Sequence, residues 1–180
     1  SPEEAVTTLR KVEWSESGAV YTPIGVVEPV HLAGTTVQRA NLCNPDMIRT
    51  MGLKIGSKVV ITKRGEIIPK IETLVDNSMA TGEIEMPTTC AACGSSLIDE
   101  GTRLYCPNPA CPKKTFHRLE KWLSIVNAKE FGSVILKKVF DSGRVRKIPD
   151  LYTLTAQELS EFDRMGPTLA QKIVRNLHSV

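Results

Sequence analysis

The chain has 180 residues, 41% apolar and 24% charged, which excludes a disordered polymer and leaves room for one ordinary domain or two to three small ones. No apolar run could cross a bilayer, and the start, Ser1-Pro2-Glu3-Glu4-Ala5, lacks the basic opening and apolar stretch of a signal peptide, which predicts a cytoplasmic protein with no membrane partner. Net charge is +3, but residues 1–86 hold nine Lys/Arg against eleven Asp/Glu and residues 87–180 hold fourteen against nine, so any polyanion contact is expected mainly in the C-terminal half.

The first segment, residues 1–80, reads as short strands rich in Val, Ile and Thr and punctuated by Gly or Pro. Strands are expected at Thr7–Trp14, Val20–Val27, Thr35–Leu42, Lys58–Lys63 and Glu66–Val75. Between the third and fourth, Asn44 can cap a helix, Pro45 suits its first position and Gly52 can end it. Five strands with one helix in that place is the layout of an OB-fold β-barrel, with another small barrel as the alternative. Lys63-Arg64 and Lys70 flank a strand turn and could meet a sugar-phosphate backbone. Cys43 reads as a partly buried thiol with no catalytic partner pattern around it. Residues 76–89, with Asp76-Asn77-Ser78 and Thr81-Gly82, read as a linker.

The second segment, residues 86–115, carries four of the five cysteines: Cys90-x2-Cys93, then Cys106-x4-Cys111. Two close pairs joined by a short hairpin suit a tetrahedral four-thiolate zinc site, closed to water and therefore structural. Gly94 eases the turn after the first pair, and Pro107, Pro109 and Pro112 stiffen the second. Two disulfides, four free thiols or an iron–sulfur cluster are the other readings. A clustered, odd-numbered cysteine set without a secretion signal favours metal.

The third segment, residues 116–180, switches to helical period. Phe116, Leu119, Trp122, Leu123 and Val126 recur at spacings of three and four. A second helix is expected at Ser133–Phe140. A third opens at Thr155 with a capping box to Glu158, and a fourth opens at Pro167 or Thr168. Phe131-Gly132-Ser133-Val134-Ile135-Leu136 aligns with Met165-Gly166-Pro167-Thr168-Leu169-Ala170 at an offset of 34 residues. Two such copies suggest tandem helix-hairpin-helix units. Gly132 and Gly166 can take positive φ. The free N–H groups that follow, at Ser133 and Thr168 among others, form helix starts that attract phosphate. Basic candidates nearby, with plain solvation as the alternative for each, include Lys113, Lys114, Arg118, Lys121, Lys137, Lys138, Arg144, Arg146, Lys147, Arg164, Lys172 and Arg175; for His117 a structural role is expected ahead of a DNA contact. No phosphate-binding loop of the Gly-x-x-x-x-Gly-Lys type, paired-carboxylate signature or serine elbow is present, so these residues bind and do not catalyse. The expected whole is a multidomain α+β chain: OB-fold barrel, four-cysteine zinc ribbon and a partial helix-hairpin-helix domain.

Several words resemble one family. Glu28-Pro29-Val30-His31-Leu32-Ala33-Gly34-Thr35-Thr36-Val37 is similar to the OB segment of bacterial NAD-dependent DNA ligases. So are Gly52-Leu53-Lys54-Ile55-Gly56-Ser57-Lys58-Val59-Val60-Ile61 and Gly65-Glu66-Ile67-Ile68-Pro69. Pro87-Thr88-Thr89-Cys90-Ala91-Ala92-Cys93-Gly94 resembles the family's zinc-finger opening, and Asp163-Arg164-Met165-Gly166-Pro167 with Ala170-Gln171 one of its helix-hairpin-helix motifs. The resemblance runs over essentially the whole chain, in order. It implies an enzyme that seals nicks in double-stranded DNA with NAD and Mg, the zinc finger bridging the barrel to a hairpin domain that closes a clamp. Carried over, Lys63, Arg64 and the Gly132 and Gly166 hairpins become DNA contacts.

Three departures qualify this. The adenylation domain with its Lys-x-Asp-Gly lysine, the later hairpins and any C-terminal BRCT domain lie outside these residues, and with no initiator Met the sequence reads as a piece of a longer protein. The expectation is a monomeric DNA-binding part of the ligase, inactive alone and binding no NAD itself. Glu16-Ser17-Gly18 stands where the family often has Arg-Thr-Gly, so a minor-groove contact there is in doubt. Cys43 stands where a His is common. The alternative is a stand-alone zinc-containing DNA-binding repair module, but a single-strand binder needs aromatic platforms, and the barrel segment offers only Trp14 and Tyr21.

Overall fold

The computed structural model describes residues 3–64, 68–128, 130–162 and 165–179. The opening of the fifth expected strand at Glu66-Ile67, its Gly65 and the Asp163-Arg164 pair lie outside the described residues. The chain divides into two compact units, Ser1–Asn108 and Pro109–Val180.

In the first unit β1 (Glu3–Ser17), β2 (Val20–Leu32), β3 (Thr35–Asn41), β4 (Lys58–Lys63) and β5 (Lys70–Asp76) close a ring. β1 pairs with both β2 and β4; β4 pairs with β5, β5 with β3, and β3 with β2. β1 serves two partners because its register shifts between Leu9 and Lys11: Glu3–Thr8 pairs with β4, and Leu9–Ser17 pairs with β2. Such a bulge bends a strand and lets a sheet curl shut. The strands run longer than their apolar alternation suggests, β2 by five residues past Val27, because ladder bonds continue where side chains turn to solvent.

Helix α1 (Pro45–Met51) lies between β3 and β4 as expected. The Asn44 side chain accepts from Met47 N–H at 2.9 Å, and Gly52 closes the helix in the left-handed region at φ 69°. The barrel interior is filled by Leu9, Val27, Leu32, Ala40, Leu42, Ile48, Val59, Ile61 and Ile71, at roughly 1.5–3 kcal/mol for each large side chain buried. No cysteine belongs to that core, so the barrel does not depend on the ribbon to be filled.

The 76–89 stretch is laid along the barrel instead of hanging free. Thr81 N–H donates to the Ile55 carbonyl at 2.8 Å, Ile55 N–H to the Gly82 carbonyl at 2.9 Å, and Ile84 and Met86 pack on the core. The ribbon hairpin, β6 (Ile98–Asp99) and β7 (Leu104–Tyr105), then extends the barrel sheet: Val20 pairs with Tyr105 and Tyr21 with Leu104. Its turn docks on α1, where Asp46 N–H donates to the Gly101 carbonyl at 3.0 Å and Arg49 pairs with Asp99. Gly101 sits at φ 83°, and a Cβ there would lie 2.4 Å from the Asp46 carboxylate, so the turn requires glycine twice over.

The second unit is helical: α2 (Pro112–Ile125), α3 (Ser133–Asp141), α4 (Ile148–Leu151), α5 (Ala156–Ser160) and α6 (Pro167–His178). Leu119, Leu123, Phe131, Leu136, Val139, Leu151, Leu159, Ala170, Ile173 and Leu177 form its core; those on α2, α3 and α6 come from the apolar faces the sequence period predicts. Among the described residues no helix is long and apolar enough to cross a membrane.

Candidate functional site

The sulfurs of Cys90, Cys93, Cys106 and Cys111 lie within 4.8 Å of one another. Cys90, Cys106 and Cys111 are buried and Cys93 half-buried, and no disulfide joins any of them, against the two-disulfide reading. Four sulfurs about 2.3 Å from a common centre stand roughly 3.8 Å apart, and Cys93 Sγ is 3.5 Å from Cys106 Sγ. The donor set therefore fits a metal ion held by four thiolates, with no position left for water.

The local sequence shapes each knuckle. Cys90 N–H donates to the Ser95 carbonyl and Gly94 N–H to the Cys90 carbonyl, both at 2.8 Å. That tight return carries Gly94 through φ 75°, as its place after the first pair predicts. The second pair is held from the barrel hairpin and from α2: Cys106 N–H donates to the Ala19 carbonyl at 3.0 Å, and the Cys111 carbonyl accepts from Lys114 and Thr115.

The two thiols of the first pair are both held toward ionisation. A hydrogen bond with the Ser95 hydroxyl, 3.2 Å away, is the largest influence bringing Cys93 down to about 6. Burial opposes ionisation of Cys90, but bonds from Tyr21 and from the N–H groups of Ala92 and Cys93 outweigh it and hold its thiol below the ordinary value. Tyr21 itself is buried and bonded to Cys90, which raises its pKa and keeps its proton.

On the barrel, Lys63 ends β4, Arg64 follows it, and Lys70 opens β5 opposite Thr62. Lys63 lines a groove of about 620 Å³ with Thr35, Thr36, Gln38, Arg39 and Ile68. Arg64 and Lys70 line a neighbouring hollow that shares Ile68, which is 67% exposed. The three basic residues thus border one continuous surface. Lys70 stands 4.0 Å from Glu72, and Arg39 pairs with Glu13.

In the helical unit Gly132 and Gly166 are the N-caps of α3 and α6, at φ −86° and −77°. The expected positive φ at these two glycines is therefore corrected. Both are extended, where any residue fits, and a Cβ on either would meet nothing within 4 Å. Ser133 and Thr168 are exposed in the first turns of their helices, where backbone N–H groups lack an intrahelical partner. Ser133 Oγ donates to Glu120 at 2.8 Å. His117 is exposed on α2 and lines a groove of about 850 Å³ with Glu120, Lys121, Ile125, Gly132 and Ser133.

Cys43 is exposed, not half-buried: it takes φ 64° in the turn before α1, where its N–H donates to the Asn41 side chain at 2.8 Å, and this turns its thiol outward. Tyr21, Glu120 and Arg39 were not singled out from sequence as site residues. Each matters through a partner far along the chain, and no local spacing announces that.

A family model described as the NAD-dependent DNA ligase OB-fold domain matches residues 6–83. The chain is 59% identical over 99% of its length to a DNA ligase of Treponema denticola, covering 28% of that protein. It is 50% identical over 99% of its length to a DNA ligase of Treponema pallidum, covering 22% of it, and 42% identical over 97% to one of Oceanobacillus iheyensis, covering 27%. Residues 6–83 belong to the OB-fold domain family of NAD-dependent DNA ligases, and the chain over nearly its whole length is similar to part of a DNA ligase. It spans about a quarter of the length of these relatives. The closed five-stranded barrel is accordingly the family's OB-fold, and the four-cysteine cluster is a candidate metal site attached to it.

Proposed function

We propose that this chain is the DNA-gripping part of an NAD-dependent DNA ligase: it holds nicked double-stranded DNA while a domain outside these residues carries the adenylated lysine. The observation that carries the proposal is identity to DNA ligases over nearly the whole chain, coupled to a barrel surface on which Lys63, Arg64 and Lys70 border one groove system. Basic side chains on a concave surface track phosphates without reading bases. The second unit carries thirteen Lys/Arg against seven Asp/Glu. Its two glycine-led helix starts support a pair of helix-hairpin-helix motifs, with Gly132, Ser133, Gly166 and Thr168 facing the backbone of the duplex. The missing Cβ at each glycine serves no contact inside the protein, so its use is close approach by something outside.

The metal is zinc, held by Cys90, Cys93, Cys106 and Cys111; it ties the two knuckles together and takes no part in bond-making. NAD and Mg belong to the complete enzyme, which acts as a cytoplasmic monomer. A duplex reading suits the barrel better than a single-strand one, because Tyr21 is only 5% exposed and turned to the ribbon, which leaves no stacking platform at that position.

The test is a titration of this chain with nicked duplex, intact duplex and single strand across a salt series. Tighter binding to duplex than to single strand, with a steep salt slope, is expected; flat, salt-insensitive curves would remove the nucleic-acid role. Chelation is expected to weaken duplex binding while the barrel stays folded. Incubation with labelled NAD should leave the chain unlabelled, and covalent AMP on it would overturn the division of labour proposed here.

A further inference from the structure

We propose that Tyr21, a barrel residue, is a positioning residue of the metal site, its hydroxyl holding Cys90 in its ligating orientation. The inference rests on the reading that the four cysteines bind zinc. Tyr21 Oη lies 3.5 Å from Cys90 Sγ and accepts from Ala91 N–H at 3.1 Å. Because Ala91 occupies the oxygen as a donor, the hydroxyl's own hydrogen is left for the sulfur. The side chain is 5% exposed, so water does not compete for either bond.

The setting is built to fix that hydroxyl. Tyr21 sits on β2 opposite Leu104 of β7, so the strand that carries it is bonded to the ribbon hairpin on its other edge. Two residues earlier, Ala19 is 1% exposed and gives its carbonyl to Cys106 N–H at 3.0 Å. The β1–β2 hairpin therefore touches both knuckles: the first through Tyr21, the second through Ala19. Metal ligands are commonly oriented by such outer partners, whose loss lowers metal affinity about 10–100-fold. A donor on a thiolate also draws charge off the sulfur, so it tunes the metal–sulfur bond as well as the geometry.

The experiment uses this chain loaded with zinc or with cobalt, comparing wild type, Tyr21→Phe and Arg49→Gln. Arg49 ties α1 to the ribbon turn through Asp99 and touches no sulfur, so its variant reports a merely structural loosening. Tyr21→Phe keeps the buried ring. It should release zinc to a chelator about tenfold faster or more and shift the thiolate-to-cobalt charge-transfer band to lower energy. Arg49→Gln should leave the band in place. Replacing the tyrosines with 3-fluorotyrosine, whose hydroxyl is the stronger donor, should move the band the opposite way without any risk to the fold from a lost hydroxyl. A wild-type chain that takes up no metal would sink the zinc reading itself. A wild type with a four-thiolate cobalt spectrum, but no change of band or release rate in either tyrosine variant, would overturn the role of Tyr21 alone.

Discussion

Helices α3 and α6 each follow a buried apolar residue and a glycine, Phe131-Gly132 and Met165-Gly166, and in each the first intrahelical bond returns to the glycine carbonyl, at 3.0 Å in both. Their surroundings differ. At α3 the first-turn Ser133 already holds a carboxylate, that of Glu120 on α2, at 2.8 Å. A second acid, Glu130, stands two residues before the glycine and is paired with Lys172 of α6 at 2.8 Å. At α6 Thr168 is exposed, and among the described residues no carboxylate bonds it. A helix start attracts one anion through its free N–H groups and its dipole. The α3 start is supplied with a carboxylate from within the fold, whereas among the described residues none plays that part at the α6 start. Two copies with one backbone geometry need not share one task.

The largest effect expected from that contrast is on duplex binding. Gly166→Val should weaken binding to nicked duplex about tenfold, near 1.4 kcal/mol, whereas Gly132→Val should cost about twofold or less. Both glycines are extended and open, so both variants carry a similar capping penalty, and the difference between them reports the ligand. Equal losses in a binding titration would erase the distinction.

That the two copies existed was legible from the 34-residue offset; that they differ was not, because Glu120 lies on the preceding helix at a spacing no motif records. The same divide runs through the whole molecule. Helix α1 was legible because Asn44, Pro45 and Gly52 act on their own neighbours. The cysteine knuckles were legible for the same reason. The docking of the ribbon on the barrel was not, since Tyr21 and Cys90 are 69 residues apart. Helix α4 was missed because a four-residue turn at Ile148–Leu151 is too short to show a period. The positive φ expected at Gly132 and Gly166 failed because an N-cap is extended, and glycine there answers to space and not to handedness.

A second prediction separates the copies by stability. Helix α5, which precedes the second glycine, is closed by a capping box: Thr155 Oγ1 accepts from Glu158 N–H and Glu158 accepts from Thr155 N–H, each at 3.1 Å. Helix α2, which precedes the first, has no side-chain cap. Thr155→Ala should therefore cost the helical unit about 1 kcal/mol in a denaturant titration. A cost near zero would show that packing, not the cap, sets the start of α5.

Glu120→Gln probes the carboxylate directly. The amide still accepts from Ser133 but no longer repels phosphate, so duplex affinity should rise about two- to threefold, the range expected for one charge at a helix start. The gain should vanish when Gly132→Val is added, because the opened site would be blocked. Unchanged affinity would mean that α3 faces away from DNA altogether.

The smallest effect concerns pH at the second copy. Arg144 bonds Glu158, and this, aided by the Thr155 N–H and hydroxyl, holds the Glu158 carboxyl below its ordinary value of 4.5. A carboxylate with a depressed folded pKa stabilises the fold fully above its unfolded value and loses that contribution as pH falls through the folded one. The helical unit should therefore weaken on acidification below about 4.5, and Glu158→Gln should flatten that decline while lowering stability at neutral pH. The change is small because both partners are about one-third exposed, at 32% and 36%, and water and salt screen the pair. If Glu158→Gln leaves the acid slope of a urea titration unaltered, the cap works through hydrogen bonding alone, and the charge on Glu158 contributes nothing to how the second copy is held.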